Sequence, residues 1–422
     1  MGEKGNDHPK FNLFVLKWQY MKTRGEANDR SKTMNLLIHD LSQDRWHETE
    51  EAWPGWKVIC DNGAIRPCVG CFSCWNRTPG QCVIRDGYED IGALFHRAEE
   101  VVVISRYTWG GFSGFVKNVF DRCLGYALPH FEVVDGETHH KRRYDEDKPF
   151  SFIFYGHDLS EKEKDAARRY VKAVCANVRC HVNSVDFRVC PNDDSRNRKV
   201  SAVSLGKVVL LTGSMRFNGN TSRLSEKLAG QLKRERTSIA LGKHLNDLHS
   251  LINALEDATD IVVCTPLYLD GLPSQVVRFM EAMRREYRGE SKRIYVLANM
   301  GLYESRQLVN LFDAVRQWCA TMGFQYCGGL GVSAGELIGV LMQHLPFSIG
   351  FTRNVARGMK RLAEAVDASR PAEDTFAEPF CFPRGLYIRI ANSGWQKMAK
   401  ANGLKPEDLF RRIRADSEDG PE

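Results

Sequence analysis

Two groups of residues in this chain have types and spacing suited to chemistry. The first is Leu211-Thr-Gly-Ser-Met-Arg-Phe-Asn-Gly-Asn-Thr-Ser222, which follows an apolar run and leads into residues 223–232 at helical spacing. Free backbone N–H groups at a helix N-terminus, reinforced by the helix dipole, favour an anion. The hydroxyls of Ser214, Thr221 and Ser222 and the amides of Asn218 and Asn220 add donors, Arg216 adds charge, and Gly213 and Gly219 let the backbone turn closely. No Gly-Lys-Ser/Thr follows, and the glycines are six apart, so neither the Walker nor the dinucleotide fingerprint is present. A single phosphate held mainly by neutral donors, such as that of FMN, fits better than a pyrophosphate. The same residues would also serve an ordinary capped helix, with Asn220 or Thr221 as N-cap.

The second group is Cys68, Cys71, Cys74 and Cys82, spaced Cys-x2-Cys-x2-Cys-x7-Cys. Three cysteines at intervals of three match the ferredoxin-type run, with Cys82 able to supply a fourth thiolate to a 4Fe–4S cluster. Zinc is less natural, since its knuckles usually come as two separated pairs. Redox or purely structural thiols are the remaining readings. The other nine cysteines have no ligand spacing, and most of them read as small buried hydrophobes.

The elements that must hold these groups recur along the chain. Residues 35–38 and 208–211 are short apolar strands; residues 101–104 and 261–264 are continuous Val/Ile/Cys runs of the kind buried on both faces of a sheet. Each longer run enters an aromatic and glycine loop, Ser105-Arg-Tyr-Thr-Trp-Gly-Gly-Phe-Ser-Gly114 or Thr265-Pro-Leu-Tyr-Leu-Asp-Gly-Leu-Pro-Ser274, and then an amphipathic helix. A further apolar strand follows in each half, at 150–155 and 293–299. This repeat predicts βαβ units and two parallel sheets covered by helices. In such sheets ligands bind beyond the C-terminal strand ends. Pro266, Leu267, Tyr268, Leu269, Asn299 and Gly301 would therefore share a rim with the phosphate loop. The domain boundaries expected are an N-terminal arm at 1–33, a first domain at 34–189, a linker at 190–206, a second domain at 207–366 and a C-terminal helical tail at 367–422, with a short helix at 395–403 docked on the second half.

The 422 residues, with 43% hydrophobic and 27% charged, exclude a disordered chain. No apolar run reaches membrane-spanning length, and no signal peptide is evident. Thirteen cysteines, an odd number, argue for a reducing cytoplasm rather than a secreted disulfide framework. A net charge of +6 does not call for a nucleic-acid partner.

Gly213-Ser-x-Arg-x-x-Gly-Asn-Thr221 together with Thr265-Pro-Leu-Tyr-x-x-Gly271 resembles the flavodoxin-like NADPH-dependent FMN reductase family, over both halves. The resemblance implies an α/β fold of two tandem flavodoxin-like, doubly wound parallel-sheet domains, each with five strands. It also implies a non-covalent FMN reduced by NADH or NADPH, a small-molecule electron acceptor or redox partner protein, and a homo-oligomer. It assigns the FMN phosphate to the loop 214–221 and the flavin ring system to 266–269. The cysteine run is similar to that of iron–sulfur flavoproteins, and also to a Cys-Trp loop of flavodoxin-like reductases not known to need a cluster, toward which Trp75 and Pro79-Gly80 lean. The first half departs from the family: after Ile38 the glycine-serine-arginine pattern is missing, and Asp40 and Asp44 would repel a phosphate. Tyr107 and Trp109 then pack a domain interface, the alternative being that they face a flavin held by a partner subunit. The insertion at 125–148, with its basic His139-His140-Lys-Arg-Arg143, reads as a solvated loop or substrate lid. No catalytic residue is assigned, because hydride transfer itself needs no protein acid or base. An iron–sulfur electron carrier and a non-catalytic binding module on the same fold are the alternative functions.

Overall fold

The computed structural model describes residues 34–190 and 198–413; the expected N-terminal arm and residues 191–197 of the linker lie outside them. Two parallel sheets carry the chain. The first contains β1 (Met34–His39), β2 (Lys57–Cys60), β3 (Ala98–Arg106), β6 (Pro149–Gly156) and β7 (His181–Val189), in the order β2-β1-β3-β6-β7. Between β3 and β6 lies an antiparallel hairpin of β4 (Ala127–Val134) and β5 (Glu137–Arg142). The second sheet contains β8 (Lys207–Thr212), β9 (Arg236–Ala240), β10 (Ala258–Pro266), β11 (Arg293–Asn299), β12 (Gln325–Val332) and β13 (Thr375–Ala377), in the order β13-β12-β11-β10-β8-β9. Both orders are the 2-1-3-4-5 pattern of flavodoxin-like domains, so the α/β class and the tandem architecture are as the repeat predicts. The second sheet has six strands rather than five. Thr375–Ala377 pairs in parallel with residues 330–332, in a stretch whose breakers hide three strand residues.

The eight longer helices are α1 (Gly114–Arg122), α2 (Glu161–Val178), α3 (Asn220–Ala229), α4 (Ser274–Glu286), α5 (Val309–Met322), α6 (Gly335–His344), α7 (Arg353–Asp367) and α8 (Arg384–Ala401). Residues 101–104 and 261–264 are buried throughout, because helices cover both faces of each sheet. Helix α2 starts at a capping box in which Ser160 and Glu163 satisfy each other's backbone N–H.

The halves join along α1 and α4. Gly114 permits the approach: a Cβ there would stand 2.9 Å from Glu281 Oε2. Lys117 and Asp121, both about 1% exposed, form an ion pair inside this junction. Asp121 Oδ2 accepts the Ser274 N–H at 2.8 Å, and Lys117 Nζ donates to the Tyr268 carbonyl at 2.8 Å. Tyr107 and Trp109 pack here too, donating to Gln317 Oε1 at 2.6 Å and Thr321 Oγ1 at 3.3 Å.

Two sequence expectations need correction. The basic stretch at 139–143 is no solvated loop. His139 and Arg143 are buried in the hairpin, and Arg143 donates to the carbonyls of Gly125, Ala127, Leu409 and Arg411. The C-terminal helix spans residues 384–401 rather than a short stretch around Trp395. It also bridges both halves: Asn392 Nδ2 donates to Phe131 O and Tyr387 Oη to Gly301 O. Of the nine other cysteines six are buried, as expected for most of them, while Cys180 is half-buried and Cys60 and Cys381 are exposed.

Candidate active site

The loop from β8 to α3 forms because β8 is buried on both faces and stops at Thr212, while α3 opens at Asn220 with Gly219 as its N-cap. The N-cap is a glycine rather than Asn220 or Thr221, so no side chain occupies the cap position. The first helical bond is Arg223 N–H to Gly219 O at 3.1 Å. The N–H groups of Asn220, Thr221 and Ser222 therefore precede the helical ladder and remain open to an acceptor. Within the loop, Ser214 Oγ accepts the Arg216 N–H at 3.1 Å, and Ser222 Oγ donates to Arg216 O at 3.2 Å. Thr221 Oγ1 reaches across to β11 and donates to Asn299 Oδ1 at 2.7 Å.

The loops that leave β8, β10 and β11 open into one cavity of about 170 Å³. Its floor and rim include Ser214, Arg216, Asn220, Thr221, Pro266, Leu267, Tyr268, Leu269, Asn299 and Gly301. Ten of the eleven residues singled out in the sequence thus share one space. Asn218 does not; it is exposed and outside the lining. Arg216 lies with its guanidinium 5.5 Å from the Phe72 ring centroid, a cation–π contact with the first half. At Gly301 a side chain would meet nothing within 4 Å, so this edge of the cavity is open.

The first half, together with Trp395 of α8, supplies the roof, which the sequence did not reveal. Gly70, Phe72 and Trp75 come from the cysteine loop, Phe131 and His140 from the hairpin, Asn177 from the end of α2, and Trp395 from α8. Phe72, Trp75 and Trp395 pack on one another, with ring centroids 5.3–5.4 Å apart. Trp75 Nε1 donates to Leu124 O at 2.9 Å and Ala127 O at 3.0 Å. Gly70 takes a left-handed φ of 64°, and the Tyr268 hydroxyl fills the space where its Cβ would stand. His140 is held by burial to a pKa of about 4, so its imidazole is neutral; its Nδ1–H donates to Leu128 O at 2.9 Å. Each roof residue is far along the chain from the phosphate loop and in no recognisable motif with it. Only the aromatic content of the cysteine loop could have hinted at the arrangement.

The matching loop of the first half is closed by its own carboxylate. Both oxygens of Asp40 accept the Arg106 N–H at 3.1 Å, and Trp46 stacks on His39 at 4.3 Å. An anion has no place there.

The cysteine run lies behind Phe72. Cys68, Cys71, Cys74 and Cys82 border one small cavity with Asp121 and Arg122. Burial pushes the Cys68 thiol up to about 12, with the Asp121 charge adding to it, and burial likewise raises Cys74 well above the ordinary thiol value. Such thiols are poor nucleophiles as they stand. Among the described residues, no three His, Cys, Asp or Glu side chains converge closely enough to hold a single metal ion. A mononuclear site needs all its thiolates about 2.3 Å from one point, whereas a cluster keeps its thiolates farther apart, so bordering a common cavity is the weaker and separate fact. All thirteen cysteines are free, and none forms a disulfide. No described helix is long and apolar enough to cross a membrane.

No protein-family model matches the chain, and neither does any curated protein. Among solved structures it is similar to an NADH:FMN oxidoreductase, EMOB, in its apo form, at 15% identity. That match covers 43% of this chain and 99% of the other, with a TM-score of 0.32. An NAD(P)H:quinone oxidoreductase from Methanothermobacter marburgensis matches at 10% identity, over 41% of this chain and 100% of its own, with a TM-score of 0.30. The Flv1 flavodiiron core from Synechocystis matches at 10% identity over 78% of this chain and 85% of its own, with a TM-score of 0.28. At these identities and scores the likenesses carry no argument about function; the chain's own strand orders make it a pair of flavodoxin-like domains.

Proposed function

We propose that this chain is an NAD(P)H-dependent FMN oxidoreductase that passes electrons to a small acceptor. One observation carries the reading. An uncapped helix N-terminus, Ser214 and Thr221 open into the same cavity as the 266–271 loop, beneath an aromatic roof. The donor set suits a monophosphate: the open backbone amides of Asn220, Thr221 and Ser222 at the helix end, with Arg216 alongside, while the Thr221 and Ser222 hydroxyls donate within the protein and shape the loop. The apolar lining between Leu267, Leu269 and the roof suits a planar ring system. In its bound state FMN would accept hydride from a nicotinamide and return two electrons to an acceptor. The chain's part is to bind the phosphate at 214–222, present the backbone of 266–271 to the ring edge, and exclude water with Phe72, Trp75, Phe131 and Trp395. Because the roof comes from the same chain, a homo-oligomer would assemble through other surfaces. The free cysteines suit a reducing cytoplasm.

The test is direct titration with FMN, followed by quenching of flavin fluorescence. The Arg216→Ala/Asn220→Ala variant should bind at least about tenfold more weakly, on the order of 1.4 kcal/mol. Unchanged affinity in that variant would remove the phosphate assignment. A second reading, an iron–sulfur flavoprotein carrying single electrons to a partner protein, draws on the four cysteines around one cavity that shares Phe72 with the flavin site. Cys68, Cys71, Cys74 and Cys82 would hold the cluster. Iron and acid-labile sulfide, measured after anaerobic reconstitution and lost in Cys74→Ser, would favour it; an iron-free yellow protein would not.

A further inference from the structure

The turn at 268–271 holds a carboxylate where its conformation asks for glycine. Tyr268 N–H donates to Gly271 O at 3.0 Å and Gly271 N–H to Tyr268 O at 3.1 Å, so Leu269 and Asp270 are the two central residues of a tight turn. Both are left-handed, with φ of 38° and 59°. The first half builds the same turn at 108–111, where both bonds are 3.0 Å and the central residues are Trp109 and Gly110. The position matching Asp270 is thus a glycine in the other copy. The turn forms without a carboxylate, and a non-glycine residue there costs on the order of 1 kcal/mol or more.

Asp270 is 3% exposed and lines the cavity beside Tyr268 and Leu269. Among the described residues its one hydrogen-bond donor is Asn177, whose Nδ2 donates to Oδ2 at 2.5 Å. Asn177 is itself fixed, its Oδ1 accepting the His139 Nδ1–H at 2.9 Å, while His139 Nε2 lies 3.7 Å from Glu137. Among the described residues no cation pairs with Asp270. The charged groups that face it are His139 and Glu137 on β5 and Lys117 on α1, with the Tyr170 phenol on α2. Lys117 is already engaged by Asp121 and the Tyr268 carbonyl.

We propose that Asp270 is the proton donor to the acceptor reduced in this cavity, a para-quinone or a compound of the same two-electron, two-proton class. The proposal rests on the flavin reading above. Reduction of a para-quinone consumes one hydride and one proton. The hydride adds to one quinone oxygen as the flavin is oxidised; the opposite oxygen, now a phenolate, takes the proton from the Asp270 carboxyl. Hydroquinone leaves, and water entering the cavity reprotonates the carboxylate. Asn177, His139 and Glu137 position the carboxyl and do not carry the proton. Burial supports the role by raising the Asp270 pKa to about 6, against the hydrogen bond from Asn177, which lowers it. A carboxyl at that value is partly protonated near neutrality and so a competent acid.

The test compares full-length wild type with Asp270→Asn and Asp270→Gly, the second of which copies the relaxed turn of the first half. Each protein is loaded with FMN, reduced with NADPH or NADH, and mixed in stopped flow with 1,4-benzoquinone or with ferricyanide, which accepts electrons but no proton. The ratio of the quinone rate to the ferricyanide rate should fall at least about tenfold in both variants. In wild type this ratio should decline as pH rises through about 6; in the variants it should be flat. A readout independent of turnover is infrared difference spectroscopy of the flavin-free protein. A protonated-carboxyl band should titrate in that pH range in wild type and be absent from Asp270→Asn. An unchanged ratio in a flavin-loaded variant, or no such band, overturns the proton role alone. Failure of wild type to bind FMN overturns the flavin reading, and the proton role falls with it.

Discussion

Thr221 shows how one side chain ties the candidate phosphate site to the sheet. Its hydroxyl donates to Asn299 Oδ1 at 2.7 Å, and both residues are buried. Asn299 is the last residue of β11, so the bond fixes the start of α3 against the third loop of the rim. Thr221→Val keeps the volume but leaves the Asn299 oxygen without its donor. The expected loss is about 1–3 kcal/mol of stability in urea denaturation. FMN affinity should weaken too, and Thr221→Ser should restore most of both. A Thr221→Val protein as stable as wild type would mean that water replaces the hydroxyl, and that the two loops are held by packing alone.

At the scale of elements, the first residues of β10 and β11 are pinned by a buried charge. Asp260, 0% exposed, accepts from Arg293 Nε at 2.6 Å and from Arg234 at 2.8 Å. Burial alone would raise its pKa, but the hydrogen bonds from Arg293 and Arg234 outweigh it and hold the carboxyl below the usual range. A carboxyl depressed in the folded state contributes stability that is fully present above its unfolded value of about 3.9. That contribution is lost as pH falls through the lower folded value. Asp260→Asn, which strands two guanidinium groups, should therefore cost about 3–5 kcal/mol. In guanidinium denaturation the difference from wild type should hold steady between about pH 5 and pH 8, narrowing only in more acidic buffer. A difference that grew with acidification would contradict the assignment. These same elements show what a sequence exposes. The β8–α3 loop was legible because its glycines, hydroxyls and helix start are contiguous, and because 261–264 cannot be anything but a strand buried on both faces. The roof was not legible, since Trp75, His140 and Trp395 meet only through long-range packing. Strand β13 was hidden because three residues between breakers carry too little pattern. The hairpin was misread because a basic run looks solvated until Arg143 is seen to bind four carbonyls.

The whole molecule is a fused pair in which one half completes the other's site. Asp40 closes the loop of the first half, while its cysteine loop, hairpin and α2 cover the second half's cavity. The covering depends on the α1–α4 junction, and Lys117 is its central link, bonded to Asp121 on its own helix and to the Tyr268 carbonyl in the other half. Lys117→Met should do two things at once. It frees the Tyr268 loop, so FMN should bind more weakly. It also leaves Asp121 as an uncompensated buried carboxyl, at a cost of about 3–5 kcal/mol. Burial already raises the Asp121 pKa, with the Lys117 charge opposing that rise. Without Lys117 the folded value climbs further, and a carboxyl raised in the folded state destabilises increasingly as pH rises above its unfolded value. The deficit of Lys117→Met should thus be larger in a pH 8 buffer than in one near pH 5. Lys117→Met/Asp121→Asn removes both charges and should recover a large part of the stability, with a coupling energy on the order of 1–3 kcal/mol in a double-mutant cycle. If stability returns in the double variant while FMN affinity does not, the Lys117–Tyr268 bond shapes the site apart from holding the halves together. If both return, the junction acts through packing, and the loop needs no anchor from the first half.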